Sequence, residues 1–412
     1  MHTLSQLRSG QLSGIKRLTI SDNLSTFPLE ILTLADSLEI LDISNNNLSS
    51  LPEEITQLTK LKILFASNNQ FKTLPKVLGR CQNLEMVGFK SNQINQVPAD
   101  SLPLKLRWLI LTGNRIEILP DTLGERPLLQ KLALAGNQLS ALPENMDQLI
   151  NLELIRISAN NLTYFPAQLL NLPKLAWLAF SGNPFSKIEL CIKSVPSICS
   201  VDYTLQQVLG QGASGVISKA TWNKEQTTFP TKIAVKVFKG DITTDGYPED
   251  ELQACLKVGH HPNLIQSLAQ VKEQGYLALV MNLIPDSFTN LGLPPCFKSC
   301  TRDNFPVDFS LSINKITKIV TQMTQVFEHL HVHKVNHGDL YAHNTLIDAQ
   351  ANIIFGDFGA ATMYHMLSDD QQLQIKKIEQ RALQYFIDDL LSVCASEDKH
   401  CDAYNELSKQ QK

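Results

Sequence analysis

The sequence predicts an α/β solenoid of short repeats joined to a compact α+β domain. Three observations carry that prediction. An Asn recurs at nearly constant spacing through the first half of the chain. A glycine-rich turn follows a β-like run soon after the repeats stop. A series of short motifs bearing Lys, Glu, Asp and Asn then fills the second half.

Bulk properties narrow the function classes first. A chain of 412 residues suggests two or three domains. It is 43% hydrophobic and 18% charged, with a net charge of −4. Weak acidity argues against nucleic acid as a partner, because phosphate backbones are held by clustered Lys and Arg. No run approaches the roughly 18 apolar residues of a membrane span. The N-terminus, MHTLSQLRSGQLSG, lacks the apolar core of a secretory signal. Eight cysteines are scattered without CxxC spacing, so zinc is not expected and a reduced, cytoplasmic setting fits best. In a secreted protein Cys191 and Cys199 could pair.

The repeating Asn falls at Asn23, Asn46, Asn69, Asn92, Asn114, Asn137, Asn160 and Asn183, with spacings of 23 except for one of 22. Around each stands LxxLxLxxNxL, as in Leu38, Leu41, Ile43, Asn46, Leu48 or Leu106, Leu109, Leu111, Asn114, Ile116. This is a leucine-rich repeat: one short strand and one return segment per turn, each turn burying its neighbour's leucines. The Asn sits where the chain leaves the strand and can bond backbone groups that the bend leaves unpaired. Leu-Pro pairs such as Leu51-Pro52 and Leu119-Pro120 follow, and the ring fixes φ as the return begins. The solenoid with its cap is assigned to 1–195.

Strand alternation places the residue before each second leucine on the concave face. That column reads Arg17, Ile40, Ile63, Met86, Trp108, Lys131, Leu154, Trp177, six of them apolar. A contiguous apolar stripe with two Trp marks an interaction surface. The expected partner face is therefore Ile40, Ile63, Met86, Trp108, Leu154 and Trp177, holding a protein substrate or regulator. The alternatives are packing on the chain's own second domain, or a register one residue off.

The second domain is assigned to 196–412. Gly210, Gly212 and Gly215 form a GxGxxG after Tyr203–Leu209. Such glycines let backbone amides approach phosphate oxygens. Alone the motif is weak, since other nucleotide-binding folds share it. Ile233-Ala234-Val235-Lys236 follows, and here the sequence resembles the protein kinases. The resemblance implies that Lys236 holds ATP phosphates and pairs with a helix Glu. Glu251, ahead of His261-Pro262-Asn263, matches that Glu, with Glu249 as the fallback. The run Tyr276–Ile284 resembles the strand entering an adenine-binding hinge. Met281 would then be the gatekeeper, and Asn282 and Ile284 would offer backbone groups to adenine. His337-Gly338-Asp339-Leu340-Tyr341-Ala342-His343-Asn344 resembles the catalytic loop, which implies that Asp339 is the base and Asn344 a Mg²⁺ ligand. Asp357 in Asp357-Phe358-Gly359 matches the chelating Asp.

Departures from the family pattern narrow the reading. Gly338 replaces the Arg that grips a phosphorylated activation loop, so switching by loop phosphorylation is not expected. Tyr341 stands where Ser/Thr kinases carry a Lys. Glu379–Leu391 resembles the helix that normally follows a longer activation segment, but only about twenty residues separate it from Gly359 and no Ala-Pro-Glu occurs. The implied architecture is bilobal with a truncated C-terminal lobe. Short, bacterial-type repeat-linked kinases with a His-Gly-Asp loop are the most similar class. The expected activity is ATP- and Mg²⁺-dependent phosphorylation of protein, at Ser/Thr, with the repeats recruiting the substrate or regulator. The alternatives are a pseudokinase scaffold acting through its repeats and a small-molecule phosphotransferase.

Overall fold

The computed structural model describes residues 1–187, 195–212, 214–224, 229–240, 242–243 and 245–409. Contacts divide the chain into two compact units: residues 1–175 with 183–185, and residues 176–182 with 186–412. The possible Cys191–Cys199 pairing involves Cys191, which lies outside the described residues, as does Ala213 of the glycine-rich turn.

A short helix, α1 (Leu4–Arg8), opens the first unit, and seven three-residue strands follow. They are β1 (Arg17–Thr19), β2 (Ile40–Asp42), β3 (Ile63–Phe65), β4 (Met86–Gly88), β5 (Trp108–Ile110), β6 (Lys131–Ala133) and β7 (Leu154–Arg156). Each pairs in parallel with the next, one column to one column: Ile40 with Ile63, Ile63 with Met86, Met86 with Trp108. Return segments are short 3₁₀ helices, and each begins directly after a proline, such as Pro52, Pro75, Pro98, Pro120 or Pro143. The ring pre-sets φ at that bend.

The Asn column works as a ladder. The Asn114 amide nitrogen donates to Phe89 O (2.9 Å) and Leu111 O (2.8 Å), while its oxygen accepts from Ile94 N (3.0 Å). Asn69, Asn92, Asn137 and Asn160 repeat the pattern one turn apart. Every turn therefore ties its own bend to the preceding one, and the bonds are buried. The residue before the Asn adopts a left-handed backbone at Asn45, Asn68, Ser91, Gly113, Gly136, Ala159 and Gly182. Asn and Gly tolerate that conformation best, which accounts for the Asn-Asn and Gly-Asn pairs in the sequence.

The predicted exposure of the concave column needs correction. Ile63, Met86, Leu154 and Trp177 are buried, while Ile40 and Trp108 are half-buried. Adjacent strands stand roughly 4.8 Å apart, so apolar neighbours within one column shield each other. Trp177 has a further reason. Its strand, β8 (Trp177–Ala179), belongs by its contacts to the second unit.

The second unit carries a five-stranded antiparallel sheet. Its strands are β9 (Tyr203–Gln211), β10 (Gly215–Trp222), β11 (Lys232–Phe238), β12 (Ser267–Glu273) and β13 (Tyr276–Asn282), in the order β12-β13-β11-β10-β9. Helix α2 (Pro248–Val258) packs Leu252 and Leu256 on Ala234, Leu279 and Met281. Beyond β14 (Thr289–Asn290) and α3 (Ile313–Val332), four short strands frame a loop region: β15 (Val335–Asn336), β16 (Thr345–Ile347), β17 (Ile353–Phe355) and β18 (Thr362–Met363). The helix predicted around Glu379–Leu391 is longer, α4 spanning Asp369–Ser392, because Ser368 caps it in a reciprocal capping box with Gln371. A last helix, α5 (Asp402–Lys409), follows. Among the described residues no helix is long and apolar enough to cross a membrane.

Candidate active site

Strand β11 explains why Lys236 points where it does. With period two, Ile233 and Val235 enter one core cluster, while Ala234 and Phe238 enter the other, on the α2 side. Lys236 shares the Ala234 face. On α2, Glu251 precedes Leu252, and Leu252 and Leu256 are four apart on the face that packs against this strand. Lys236 Nζ and the Glu251 carboxylate therefore meet in a buried ion pair. Burial opposes charge on Lys236, but Glu251 and Asp357 outweigh it and raise its pKa, so the ammonium persists. Glu249 is exposed on the same helix and is not the partner.

A cavity of about 350 Å³ opens beside this pair. Gly210, Gly212, Gly215, Lys236, Glu251, Met281 and Asp357 all line it. A Cβ on Gly215 would lie 2.4 Å from Val237 O, so strand pairing alone demands that glycine. Gly210 and Gly212 differ: a Cβ on either would meet no protein atom within 4 Å. The chain's own packing does not require them, and glycine there leaves room for close approach by an outside group.

The other polar groups come from the β16–β17 hairpin. Antiparallel pairing sets Thr345 opposite Phe355, so Asn344, just before β16, stands beside Gly356, just after β17. Gly356 N donates to Asn344 O at 3.4 Å. Asp357 comes next, exposed, with a left-handed backbone (φ 59°) and its carboxylate accepting from Gly359 N. Asn344 Nδ2 donates to Asp339 Oδ2 (2.8 Å) and to Asp339 O (3.1 Å). His337 anchors the loop from within. It is buried with its ring 4.1 Å from that of Phe355, its Nε2 lies 3.1 Å from Gly356 O, and its backbone N–H donates to Glu379 Oε1 at 2.7 Å.

The structure thus gathers the glycines, Lys236, Glu251, Met281 and Asp357 around one cavity, and ties Asp339 to Asn344 at the hairpin beside Asp357. Asn282 and Ile284 line adjoining depressions rather than that cavity, and Asn282 N already donates to Gln266 O at 3.1 Å. Several contributors escaped the sequence reading, four of them polar or aromatic groups with a clear place in the site. Cys255 and Asn290 line the cavity. Asp303 accepts from Ala342 N at 2.9 Å, and burial pushes its carboxyl up to about 7. Trp177 Nε1 donates to Leu340 O. Asp303 lies in a Pro- and Cys-containing insert with no motif, and Trp177 was read as part of the repeats. Only the helical spacing that sets Cys255 four residues beyond Glu251 could have revealed one of them.

Residues 203–386 match the family described as protein tyrosine and serine/threonine kinase, and residues 37–58 match the leucine rich repeat. The chain is a leucine-rich-repeat solenoid followed by a protein-kinase fold. It is 29% identical over 164 residues to the tyrosine-protein kinase receptor TYRO3 of Gallus gallus, covering 38% of this chain and 18% of that protein. It is 30% identical over 172 residues to a probable L-type lectin-domain containing receptor kinase V.3 of Arabidopsis thaliana, covering 41% and 24%. These matches cover less than a quarter of the length of either relative.

The residues present fit a nucleotide with Mg²⁺. An ammonium held charged, two glycines open to an outside group and an exposed carboxylate beside a carboxamide are the donors such a ligand uses. Among the described residues no three His, Cys, Asp or Glu side chains cluster to hold a metal unaided. Mg²⁺ in phosphoryl transfer takes its remaining ligands from phosphates and water.

Proposed function

We propose that the protein is an ATP-dependent protein kinase that transfers phosphate to Ser or Thr. The Lys236–Glu251 ion pair, formed in a cavity that also holds Asp357, carries the reading. In this reading the amides around Gly210, Gly212 and Gly215 and the Lys236 ammonium bind and orient phosphates. Met281, which lines the cavity, borders the base, whereas Asn282 and Ile284 stand outside it. Asn344 and Asp357 hold Mg²⁺, which supplies neutralising charge to the phosphates when bound. Asp339 accepts the proton of the acceptor hydroxyl. A formed ion pair and an exposed Asp357 argue against a scaffold without chemistry.

The segment between Asp357 and α4 supports activity without loop phosphorylation. Thr362 and Tyr364 are buried, and the Ser368 hydroxyl caps α4. The His337-Gly338-Asp339 loop and the short segment support placing the chain with bacterial-type repeat-linked kinases. The cysteine spacing, with no CxxC pair, is the ground for a reduced, cytoplasmic setting in this reading. The repeats would recruit substrate or regulator through the parts of the apolar column that remain accessible, Ile40 and Trp108.

Purified protein given labelled ATP, Mg²⁺ and generic protein substrates should transfer label to Ser or Thr, read by phosphoamino-acid analysis. Lys236→Met and Asp357→Asn should each abolish transfer while the protein stays folded. Undiminished transfer in both variants would falsify the assignment, and label on Tyr alone would overturn the acceptor.

A further inference from the structure

The last repeat-like strand, β8, is built into the catalytic loop. Trp177 Nε1 donates to Leu340 O at 3.0 Å, one residue after Asp339. Its ring stacks on Tyr341 with centroids 5.1 Å apart and planes 3° apart. It also stacks on Tyr385 of α4 at 5.5 Å, and the Arg302 guanidinium lies 4.7 Å from the Tyr385 ring. Leu178 O accepts from Asn336 Nδ2 at 2.6 Å, and Phe180 N donates to Thr362 Oγ1 at 3.2 Å. Three successive parts of the loop's frame, at 336, 340–341 and 362, are thus bonded to or stacked on three residues in β8 or directly after it, Trp177, Leu178 and Phe180.

Gly338 belongs to the same arrangement. Its φ is +70°, and a Cβ there would lie 2.7 Å from Leu178 O and 3.1 Å from Ala360 O. An Arg at this position would clash with β8. The glycine that departs from the kinase pattern is what lets β8 lie against the loop.

We propose that Trp177 is a positioning residue for phosphoryl transfer: β8 fixes the backbone carrying Asp339 in its working geometry, through the indole bond to Leu340 and the stack on Tyr341. The proposal rests on the kinase reading above. It makes β8 a fixed, unmodified brace where other kinases use an Arg and a phosphate. Tyr341, engaged against the indole, serves as the surface that receives it.

Because Trp177 acts through the loop and not on the nucleotide, its loss should affect turnover and spare nucleotide binding. Trp177→Phe keeps an aromatic ring for the stack and removes the N–H. The loss of one buried hydrogen bond should lower kcat roughly tenfold per folded molecule, with KM for ATP and ADP affinity unchanged. Amide exchange across residues 339–344 should speed up in the same variant. Trp177→Ala should lower kcat further; if it fails to fold, Trp177→Phe alone decides. An active wild-type protein whose Trp177→Phe variant keeps full kcat with only a lower Tm would overturn the positioning role and leave the kinase reading standing. A wild-type protein without phosphotransfer would overturn both.

Discussion

Asn114 in the repeats and Asn344 in the second unit are the same side chain put to different uses. Asn114 is buried, and both ends of its amide are bonded to backbone of its own turn or the preceding one. Asn344 is half-buried, and its amide nitrogen is committed to a side-chain carboxylate, Asp339. The first closes a structural account: each donor and acceptor has a backbone partner, and the residue recurs every turn because every turn has the same bend. The second occurs once, pairs with a charged side chain and stands beside the exposed Asp357. Periodic polar burial marks what a fold needs, while a single polar cluster beside an exposed carboxylate is a candidate for chemistry.

The sharpest break of that comparison is Asp339→Asn. If Asp339 serves chemistry, this change should cut turnover by about 10²–10⁴-fold and leave ATP affinity nearly intact, since the carboxylate touches Asn344 and is not in the cavity lining. ATP affinity by titration and turnover by label transfer should be measured on one preparation. A parallel fall in both would show that Asp339 holds the nucleotide site together instead.

Asn114→Ala tests the other side. It leaves Ile94 N buried without its amide partner, while Phe89 O keeps Asn92 Nδ2 and Leu111 O keeps Asn137 Nδ2. One unpaired buried N–H costs about 1–3 kcal/mol, so the change should remove about that much from the unfolding free energy. Denaturant midpoints at constant m-value read this. A loss below about 0.5 kcal/mol would mean that water replaces the ladder and that the Asn column is not what closes the turns.

The same contrast explains what could be read in advance. The solenoid was legible because its physics repeats: Leu, Asn and Pro each recur at one spacing, so a single turn implies the rest. Lys236, Glu251, Asp339, Asn344 and Asp357 were legible only as an ordered set of motifs, and strand and helix periods then account for the Lys236–Glu251 contact. Trp177 and Asp303 were not legible. Trp177 sits in a perfect repeat register, and only tertiary contact shows that its strand serves the second unit. Asp303 reaches Ala342 across nearly forty residues of chain from an insert without periodicity. The apolar column failed as an exposure argument for a related reason. Alternation fixes which face a side chain takes, not how completely its neighbours cover it.

Trp108 and Trp177 hold the same place in the repeat, so they offer the finest test of how context overrides register. Trp108 is half-buried, and the Lys131 ammonium lies 4.4 Å from its ring on the adjacent strand. Lys131 stands opposite Trp108 in the parallel register, so the contact is one between column neighbours. A cation over an aromatic face at a partly exposed site contributes about 0.5–1 kcal/mol. A double-mutant cycle with Trp108→Ala and Lys131→Ala should therefore return a coupling of that size in unfolding free energy. Trp177→Ala should cost more, about 3–5 kcal/mol, because it empties a buried site packed against Tyr341 and Tyr385. Salt should weaken the Trp108–Lys131 coupling only slightly, since the two groups are in contact and screening acts mainly beyond about 8–10 Å. A coupling of zero would show that Lys131 is held elsewhere and that the Trp108 ring stands open. A Trp108→Ala cost as large as that of Trp177→Ala would show that the two tryptophans share one kind of site, and that register, not context, sets their role.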